Sequence, residues 1–469
     1  MAGRLDKTAT LLSLPAPWAP DLLPQISGGL SRNCRKLWIL DDDPTGTQTI
    51  AGLPVITTWD LPTLQTEFDD ASPACFILTN SRGLTVEQSR HLHRELMRNL
   101  REAAGQRSYG VISRSDSTLR GHYPTETDIV AEGMDRETIT LIAPFFAAGG
   151  RYTLNDTHYV AEGNELIPAA ETPFAQDTVF GYHTSHLPTW VEEKTHGAIR
   201  AEDVVCIPLD LIRREGPVGV STLLRRCASG TVVVANAVNQ SDIEVVAAAV
   251  MDFESTGRRV IARTGASYVC ARVGQRPPPL LEGGQLANPH GRGGLTLGGS
   301  HVPKTTAQLT ELMRRHDVTA IEVDVSTLID ESRRADEIAR VVTGMNAALA
   351  ADRDVVVHTS RPLIRADGDD SNLSISTEVS NALSAVVQSI TAPPRYLIAK
   401  GGITSSDTAT QGLGVQRAMV KGQILPGVPV WELGAETKFP GLNYVVFPGN
   451  VGDDQAVADA VSKFKSASL

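Results

Sequence analysis

The sequence has few cysteines, few aromatic residues and no excess of positive charge, and each shortage argues against a class of protein. Its 469 residues include five cysteines, an odd number without C-x-x-C spacing, which indicates neither a disulfide framework nor a zinc site. Aromatic residues make up only 5%, and the formal net charge is -11. A negative chain is repelled by phosphate backbones and anionic lipid, so we expect no nucleic-acid partner.

Long apolar runs are lacking as well. Leu11, Leu12 and Leu14 lie near the N-terminus, but Pro15 and Pro17 interrupt the run before it reaches the length of a signal peptide or membrane span. We therefore expect a cytoplasmic protein with no membrane partner. The remaining composition, 41% hydrophobic and 21% charged, is ordinary for a globular protein, and a chain of this length predicts two domains.

Short apolar runs rich in β-branched residues alternate with polar or helical stretches along the whole chain. This is the pattern of strands in a parallel sheet covered on both faces, so the predicted fold class is α/β. Thr85 and Gln88 have the spacing of a capping box and predict a helix that starts there. The predicted strands are 37–40, 75–79, 110–113, 138–143, 204–208, 231–235, 259–263, 294–298, 320–325, 355–359, 396–399 and 444–447.

Prolines and glycines concentrate between residues 276 and 293, which predicts an interdomain linker there. The predicted organisation is an N-terminal extension over 1–36, a first domain over 37–275, the linker over 276–293 and a second domain over 294–469. Each domain is expected to hold a mostly parallel sheet flanked by helices. Clefts at domain interfaces are preferred positions for small-molecule sites, so we expect the active site in the interdomain cleft.

Three consecutive carboxylates, Asp41, Asp42 and Asp43, follow the first predicted strand and lead into Thr45 and Gly46. Open α/β sheets bind ligands at the ends of their strands. Adjacent carboxylates repel one another unless a cation or a hydroxyl-rich ligand lies among them, which favours a binding role. The alternative is a turn in which an Asp side chain caps a helix.

A second motif over 113–121 places Arg114 and Arg120 among serine and threonine residues at another strand end. Arginine binds a carboxylate through paired N–H donors, and hydroxyl side chains suit the hydroxyls of a sugar, so an acid sugar fits this motif. In the alternative, the arginines pair with surface acids. Arg82, after the second strand, either extends the same pocket or reflects ordinary loop polarity.

Two glycine turns in the second half predict a phosphate site. One includes Gly299 and Ser300, the other covers 401–405, and both lie between a predicted strand and a helix start. Glycines allow backbone N–H groups to approach a phosphate closely. Neither turn has Walker spacing. The alternatives are a tight turn for the first and ordinary helix capping by Ser405, Ser406 or Asp407 for the second. A loop over 447–454 can close over the nucleotide.

Other catalytic and metal signatures are missing from the sequence. The 11 histidines have no metal-ligand spacing, and His158, His183, His186 and His301 are interpreted as surface or pocket-rim residues. There is no G-x-S-x-G elbow, no Rossmann fingerprint after the first strand and no protein-kinase motif set. These absences disfavour a hydrolase, a dehydrogenase and a protein kinase.

Taken together, the motifs at 42–46, 113–121 and 401–405 resemble those of the four-carbon acid sugar kinase family in order and spacing. The resemblance implies an N-terminal substrate domain and a C-terminal nucleotide domain. It implies that ATP, with Mg²⁺, phosphorylates a hydroxyl of a tetronate or 3-oxo-tetronate. It also implies substrate contacts from Asp42, Asp43, Arg114, Asp116 and Ser117, and ATP contacts from Ser300, Gly401, Gly402, Ile403, Thr404 and Gly449.

The full set of candidate site residues combines the motifs with this resemblance. The general base is expected to be Asp43 or Asp116, between which the sequence does not choose. No metal ligand is assigned, and a homodimer is one option. The substrate-binding candidates are Asp42, Thr45, Gly46, Arg82, Arg114, Ser117, Thr118 and Arg120. The cofactor-binding candidates are Ser300, Gly401, Gly402, Ile403, Thr404, Ser405, Gly449 and Asn450.

Two positions depart from the family pattern. The family commonly has an aromatic residue where this chain has Pro44, and a lysine where it has Phe447. The first departure could alter the choice of substrate. The second removes a positive charge that could neutralise phosphate. An alternative function is therefore a sensor that binds the acid sugar or nucleotide without turnover.

Overall fold

A computed structural model describes residues 3–33, 35–134, 137–288, 290–299, 302–360 and 369–467, without the side chains of 32, 33 and 369–377. The chain divides into two compact units. The first unit comprises residues up to 49 together with 58–277, and the second comprises 50–57 together with 278–469. The chain therefore crosses between the units three times.

The helices and strands alternate through most of both units. The strands are β1 (Leu5–Asp6), β2 (Lys36–Asp41), β3 (Pro54–Ile56), β4 (Ala74–Leu78), β5 (Tyr109–Arg114), β6 (Thr138–Ala143), β7 (Arg151–Leu154), β8 (Thr157–Glu162), β9 (Glu165–Pro168), β10 (Val205–Ile207), β11 (Val232–Ala235), β12 (Arg259–Thr264), β13 (Leu295–Gly298), β14 (Val318–Val323), β15 (Asp354–Thr359), β16 (Tyr396–Lys400), β17 (Arg417–Leu425), β18 (Val428–Leu433) and β19 (Asn443–Phe447). The helices are α1 (Lys7–Leu12), α2 (Leu23–Asn33), α3 (Leu61–Asp69), α4 (Val86–Ala104), α5 (Thr125–Gly133), α6 (Leu187–Lys194), α7 (Leu209–Arg226), α8 (Gln240–Glu254), α9 (Ala266–Arg272), α10 (Pro303–Arg315), α11 (Val325–Leu328), α12 (Arg334–Ala350), α13 (Asp369–Gln388), α14 (Gly402–Asp407) and α15 (Ala456–Ser466).

The main sheet of the first unit has the strand order β10-β11-β6-β12-β5-β2-β4, and every neighbouring pair is parallel. All six residues of β2 are buried, as expected for a strand whose two faces are both covered. Parallel strands put their carboxyl ends at one edge, where the loops that follow β2, β4 and β5 are brought together. The α/β prediction is confirmed.

A small antiparallel sheet accompanies it in the first unit. Its strand order is β1-β9-β8-β7, so the N-terminal segment pairs with the middle of the unit. Ile26 and Leu30 of α2 are buried in the same unit. The residues before β2 are therefore integrated into the first unit through both a strand and a helix.

The sheet of the second unit has the order β3-β17-β18-β19-β16-β13-β15-β14. The pairs from β19 through β16, β13 and β15 to β14 are parallel, whereas the pairs linking β3, β17, β18 and β19 are antiparallel. β3 comes from the first part of the sequence and lies along β17, with Val55 opposite Ala418. The backbone N–H of Gly52 extends this pairing by donating to the Val420 carbonyl over 2.8 Å.

Each predicted strand is present, with small differences at its ends. The capping box is also confirmed, since the Thr85 side chain accepts from the Gln88 backbone and the Gln88 side chain accepts from the Thr85 backbone. The chain passes from the first unit to the second between Pro277 and Pro278, and Leu281 is already part of the second core. In the part of the chain that the structure describes, no helix is long and apolar enough to cross a membrane.

Candidate functional site

The carboxyl edge of the first sheet gathers a dense cluster of charges, centred on Arg82. This residue lies in a 3-10 turn after β4. The Nη2 atom of Arg82 pairs with Asp43 and lies 3.7 Å from Asp42 Oδ1. Its Nη1 atom lies 3.3 Å from Asp116 Oδ1. Burial alone would lower the pKa of Arg82, but these three carboxylates hold it above its ordinary value. Arg82 therefore belongs to the cluster of buried charges at this edge of the sheet.

Asp43 is fully occupied by contacts within the protein. Its Oδ1 atom accepts from the Thr45 backbone N–H over 2.8 Å and from the Thr45 hydroxyl, and its Oδ2 atom pairs with Arg82. Pro44 begins the 3-10 turn that Asp43 caps, a position where a missing N–H costs little. Burial raises the pKa of Asp43, but Arg82 and Thr45 outweigh it and hold the pKa below the ordinary value. Asp43 thus caps the turn, as the alternative interpretation of the three aspartates expects.

Asp116 is occupied in a similar way. It accepts from Arg120 Nε over 2.8 Å, from the Thr118 hydroxyl and from Arg82. Burial favours the neutral acid, but Arg82 and Arg120 lower the pKa of Asp116 well below its ordinary value. Asp116 is therefore an ionised anchor for the loop rather than a free acceptor.

Asp41 and Asp42 are buried with few partners. Neither carboxylate oxygen of Asp42 has a hydrogen-bond partner among the described residues, although Arg114 Nη1 lies 3.9 Å from its Oδ1. Burial raises the pKa of Asp42 to about 6 and that of Asp41 to about 8, so Asp41 is neutral at pH 7. A Cβ at Gly46 would lie 1.9 Å from Asp41 Oδ2, which is why only glycine fits there.

Two buried arginines point to an anionic ligand at this edge. Arg114 Nη1 lies 3.4 Å from Asp41 Oδ1, and Arg114 Nε has no hydrogen-bond partner among the described residues. Arg263, on β12, donates to the Arg120 carbonyl over 2.9 Å, and its guanidinium lies 5.1 Å from the Trp190 ring centroid. Sequence reasoning missed Arg263, whose one signal is a charged residue inside an otherwise apolar strand.

The loop over 115–121 is held in a strained conformation. Leu119 has φ +72°, a region that a branched side chain rarely adopts, and Gly121 has φ +118°. The Tyr182 hydroxyl donates to the Thr118 carbonyl over 2.8 Å, and this hydrogen bond stabilises the loop. Backbone strain of this kind persists where the surroundings over-determine it, which is common at binding sites.

His158 supports the same loop, and its interpretation as a surface or rim residue is wrong. It is fully buried on β8, where Nε2 donates to the Ser117 carbonyl over 2.8 Å and Nδ1 lies 3.0 Å from the Thr153 hydroxyl. Burial lowers the pKa of His158 to about 4, which keeps the ring neutral. The small antiparallel sheet is thereby linked to the candidate site. His183 and His186 are exposed as expected, and His301 lies outside the described residues.

In the second unit, the glycine turns after β13 and β16 lie against each other. A Cβ at Gly299 would lie 2.6 Å from the Thr404 hydroxyl, so the backbone there is packed closely and only glycine fits. Gly401 has φ +113°, whereas a Cβ at Gly449 would meet no atom within 4 Å. Open space beside a glycine backbone leaves room for a ligand. Ser300, predicted to contact ATP, lies outside the described residues.

Lys400 is the residue at this site that sequence reasoning missed. It ends β16, is fully buried and pairs in register with Phe447. Its Nζ donates to the carbonyls of Pro448 and Gly449 over 2.6 and 2.8 Å and lies 4.7 Å from the Phe447 ring centroid. Burial, and then repulsion from Lys304, lowers the pKa of Lys400 to about 7. A lysine directly before two glycines was its signal in the sequence.

α10 fastens the loop that follows Phe447. Lys304 donates to the Gly452 carbonyl over 2.9 Å, and Gln308 Nε2 donates to the carbonyls of Val451 and Asp453 over 3.0 and 2.7 Å. Two lysines therefore converge on this loop, one from α10 and one from β16. Among the described residues, no group of three or more His, Cys, Asp or Glu side chains is arranged to hold a metal ion.

The remaining residues predicted to bind the cofactor differ in their exposure and in their hydrogen bonds. Ser405 donates its hydroxyl to the Ala399 carbonyl over 2.7 Å, and the N-cap residue of α14 is Gly401, which makes no side-chain cap hydrogen bond, so Ser405 does not cap this helix. Ile403 is 67% exposed, an unusual position for a large apolar side chain, and Asn450 is exposed as well. Ile403 and Asn450 thus have surface available for a ligand, whereas Ser405 serves its own loop.

Two models of known protein domains match this chain, one in the first part of the sequence and one in the second. A model of a sugar-binding N-terminal domain matches residues 37–272, and a model of a nucleotide-binding C-terminal domain matches residues 295–457. Among solved structures, a Haemophilus influenzae protein is similar with a TM-score of 0.64 at 19% identity, covering 91% of this chain and 100% of that one. This likeness shows a shared fold.

Two curated relatives carry kinase names. A D-erythronate kinase of Heliobacterium modesticaldum is 25% identical over 311 residues, which is 65% of this chain and 66% of that protein. A D-threonate kinase of Bordetella bronchiseptica is 28% identical over 216 residues, 45% of each chain. Each match spans less than two thirds of the relative's length. With both domain models matched in order and its relatives named for tetronates, the chain belongs to the four-carbon acid sugar kinase family.

Proposed function

We propose that the protein transfers the γ-phosphoryl group of ATP to a hydroxyl of a four-carbon acid sugar, a tetronate or 3-oxo-tetronate. The observation that carries this proposal is the charge arrangement in the first unit. Buried Arg114 and Arg263 lie beside Asp42, whose two oxygens have no hydrogen-bond partner among the described residues. Such a site offers a cation for a carboxylate and an acceptor for a hydroxyl proton, which are the two needs of an acid-sugar kinase.

Arg114 is proposed to bind the carboxylate of the acid sugar. It is buried at the end of β5, and its Nε is free to donate as far as the described residues show. Burial raises the pKa of Asp41 to about 8 and so favours its neutral form at pH 7, which leaves Asp42, 3.9 Å from Nη1, as the ionised carboxylate beside Arg114. Arg120, the other arginine of the motif, is committed to Asp116 and lies 3.7 Å from Asp177.

Asp42 is proposed as the general base, in place of the earlier candidates Asp43 and Asp116. A base must have a free lone pair within reach of the hydroxyl proton. The oxygens of Asp43 and Asp116 are taken by arginines and by threonine hydroxyls, which lower the pKa of both groups. Asp42, with a pKa of about 6, is ionised at pH 7 and is the strongest base among the ionised carboxylates at this edge.

The second unit is proposed to hold ATP, and its residues fit a polyphosphate. The open backbone at Gly449, the closely packed Gly299 and the ammonium groups of Lys304 and Lys400 provide N–H donors and positive charge. Mg²⁺ that accompanies ATP neutralises phosphate charge and needs few protein ligands. The proposal includes a cytoplasmic location and leaves a homodimer as an option.

Lys400 weakens the argument for a sensor without turnover. The missing lysine at Phe447 motivated that alternative, but Lys400 lies directly opposite Phe447 and places its ammonium on the same loop. Positive charge near the phosphates is therefore kept, on the neighbouring strand. We propose that Lys400 compensates for Phe447 and that the protein is a working kinase.

The test is ADP release from ATP and Mg²⁺ with a panel of threonates, erythronates and 3-oxo-tetronates. Turnover on one acid that is lost in Asp42→Asn and in Arg114→Ala supports the kinase and identifies its substrate. Retained ATP binding by calorimetry shows that these variants are folded. ATP binding with no turnover on any acid of the panel would contradict the proposal and favour the sensor.

A further inference from the structure

A second charged cavity lies at the opposite edge of the first sheet. Its volume is about 260 Å³, and its charged lining residues are Arg35, Arg259, Arg272 and Glu254. Arg35 directly precedes β2, and Arg259 begins β12. Since the strands are parallel, this amino edge faces away from the carboxyl edge that carries the candidate active site. The cavity is thus a separate feature of the first unit.

Positive charge predominates in this cavity. Arg35 makes two hydrogen bonds to Glu254, of 2.7 and 2.9 Å, and Arg272 Nη2 pairs with the same carboxylate. Arg259 is the third guanidinium, and its Nη2 lies 3.3 Å from the Ser108 hydroxyl. Glu254 is the one acid among the residues that line the cavity. One carboxylate thus faces three guanidinium groups.

Two guanidinium nitrogens in this cluster have no hydrogen-bond partner among the described residues. Arg35 Nε and Arg272 Nη1 are buried and make no hydrogen bond within the described part of the chain. The exposed fractions of Arg35 and Arg272 are only 8% and 2%, so water cannot easily solvate them. Although both groups pair with Glu254, buried N–H donors are normally hydrogen-bonded, because leaving one without an acceptor is unfavourable. An anion in the cavity would supply both charge and acceptors.

We propose that this cavity binds a small anion that carries a phosphoryl group. Arginine is well suited to phosphate because its planar fork of donors matches phosphate oxygens. The volume lies just below the range of about 300–1,000 Å³ typical of drug-sized ligands, which fits an ion or a phosphorylated acid of few carbons. Leu30 and Met251 form an apolar wall beside the arginines. This inference does not depend on the proposed kinase activity.

The experiment is calorimetric titration of the whole protein with inorganic phosphate, and separately with 3-phosphoglycerate, at constant ionic strength. Ser108→Glu is the informative variant, because Ser108 is exposed at the cavity and a carboxylate there occupies the position of the anion without removing an arginine. Wild-type protein is expected to bind with a Kd of about 1 mM or below, and Ser108→Glu is expected to weaken binding at least about tenfold. Comparing the two titrants distinguishes free phosphate from a phosphorylated acid.

Arg225→Gln is the matched control. Arg225 is exposed on α7, pairs with Asp252, and its loss changes the net charge by the same amount as Ser108→Glu. Wild-type affinity in Arg225→Gln together with weakened binding in Ser108→Glu supports the site. Absence of binding to wild type, or equal affinity in wild type and Ser108→Glu, would overturn it, because the anion would then bind elsewhere or not at all.

Discussion

Three consecutive aspartates have three different environments in this protein. Asp43 caps a turn and pairs with Arg82, Asp42 has both oxygens free of hydrogen bonds among the described residues, and Asp41 is packed against Gly46. Burial and partners, rather than residue type, therefore decide which carboxylate is ionised and available. The proposed mechanism rests on this difference.

Replacing Asp42 with Asn is expected to lower kcat by about 10²–10⁴-fold, the usual contribution of a general base. In the wild type, kcat/KM should fall about tenfold per pH unit below about pH 6, because protonation removes the base. Steady-state kinetics from pH 5 to 8 measure both effects. Asp43→Ala serves as a comparison, since loss of its cap should destabilise the protein by about 1 kcal/mol. An Asp42→Asn enzyme with wild-type kcat would contradict the assignment.

We expect Asp41 to make the proposed acid-sugar binding sensitive to alkaline pH. Burial raises its pKa to about 8, so the carboxyl is neutral below that pH and ionised above it. Once ionised, it offsets the charge of Arg114, and the KM for the acid sugar should rise above pH 8. Asp41→Asn keeps the neutral form at every pH and is expected to remove this rise. A KM that increases equally in both proteins would show that another group is responsible.

Lys400 should couple nucleotide binding to proton uptake. In the free protein burial lowers its pKa to about 7, so the ammonium is charged below pH 7 and mostly neutral above it. Phosphate favours the charged form and raises the pKa in the complex. ATP affinity should therefore be highest below pH 7 and fall as pH rises, by at most about tenfold per unit.

Calorimetry in buffers of different ionisation enthalpy measures the protons taken up on ATP binding at pH 8. Lys400→Met should bind ATP more weakly and take up fewer protons than wild type. Lys421→Gln, which removes a lysine that pairs with Glu432 on the strands β17 and β18, is the control and should match wild type. Equal proton uptake in wild type and Lys400→Met would contradict the role of Lys400.

At the scale of a single element, the turn after β2 requires a residue without a side chain at position 46. Gly46→Ala places a methyl group 1.9 Å from Asp41 Oδ2, so the turn must shift, and the free energy of unfolding should fall by about 1–3 kcal/mol. Acid-sugar turnover should fall with it. Urea denaturation measures the first effect.

Gly83 provides the matching control for that substitution. A Cβ there meets no atom within 4 Å, so Gly83→Ala should change the stability by no more than about 0.5 kcal/mol. Equal stability losses in the two variants would show that close packing at Gly46 is not the cause. The comparison separates loss of space from the general effect of replacing a glycine.

The sequence was informative where one element decides the structure by itself. Buried parallel strands are continuous apolar runs, so β2, β5 and β16 were predicted nearly to the residue. The antiparallel strands β1, β3, β7, β8, β9, β17 and β18 were missed. β1, β3, β7 and β9 have at most four residues, and β8 and β17 mix apolar with polar residues. β1 and β3 also pair with strands distant in the sequence, and such a partner leaves no local pattern.

The residues of the candidate site were likewise predicted only in part. Arg82 follows β4 and was predicted, whereas Arg263 lies within β12 and was missed. Arg114 and Lys400 are both the last residues of their strands, but only Arg114, which lies among serine and threonine residues, was predicted. The difference between Asp42 and Asp43 was beyond the sequence as well, because it depends on which carboxylate faces Arg82 and which faces the Thr45 backbone. The residue types in the sequence indicated which kinds of charged group lie at the carboxyl edge of the first sheet. The proposed role of each residue depends on its contacts in the folded protein.

At the scale of the whole molecule, the units are not consecutive segments of the chain. Residues 50–57 lie in the second unit, although the residues on either side belong to the first. Leu53, Val55 and Ile56 of this segment are buried. Burying each such side chain is worth about 1.5–3 kcal/mol, so the segment contributes substantially to stability.

A fragment of residues 278–469 should consequently fold poorly. Without β3, the edge of β17 has unpaired backbone groups, and exposed edge strands promote aggregation. A second fragment with residues 48–59 joined to its N-terminus through a Gly/Ser linker is expected to be monomeric and to melt at a higher temperature. Gel filtration and thermal denaturation compare the two. Equal behaviour of both fragments would show that β3 is dispensable.

The placement of β3 also bears on how this gene could have exchanged parts during evolution. A recombination event at the boundary near residue 278 would transfer the second unit without its edge strand, and the recipient would supply a strand selected to fit a different partner. A functional chimera therefore needs two matched junctions, or a recipient whose residues 50–57 are compatible. We therefore expect the sequences of β3 and β17 to change together.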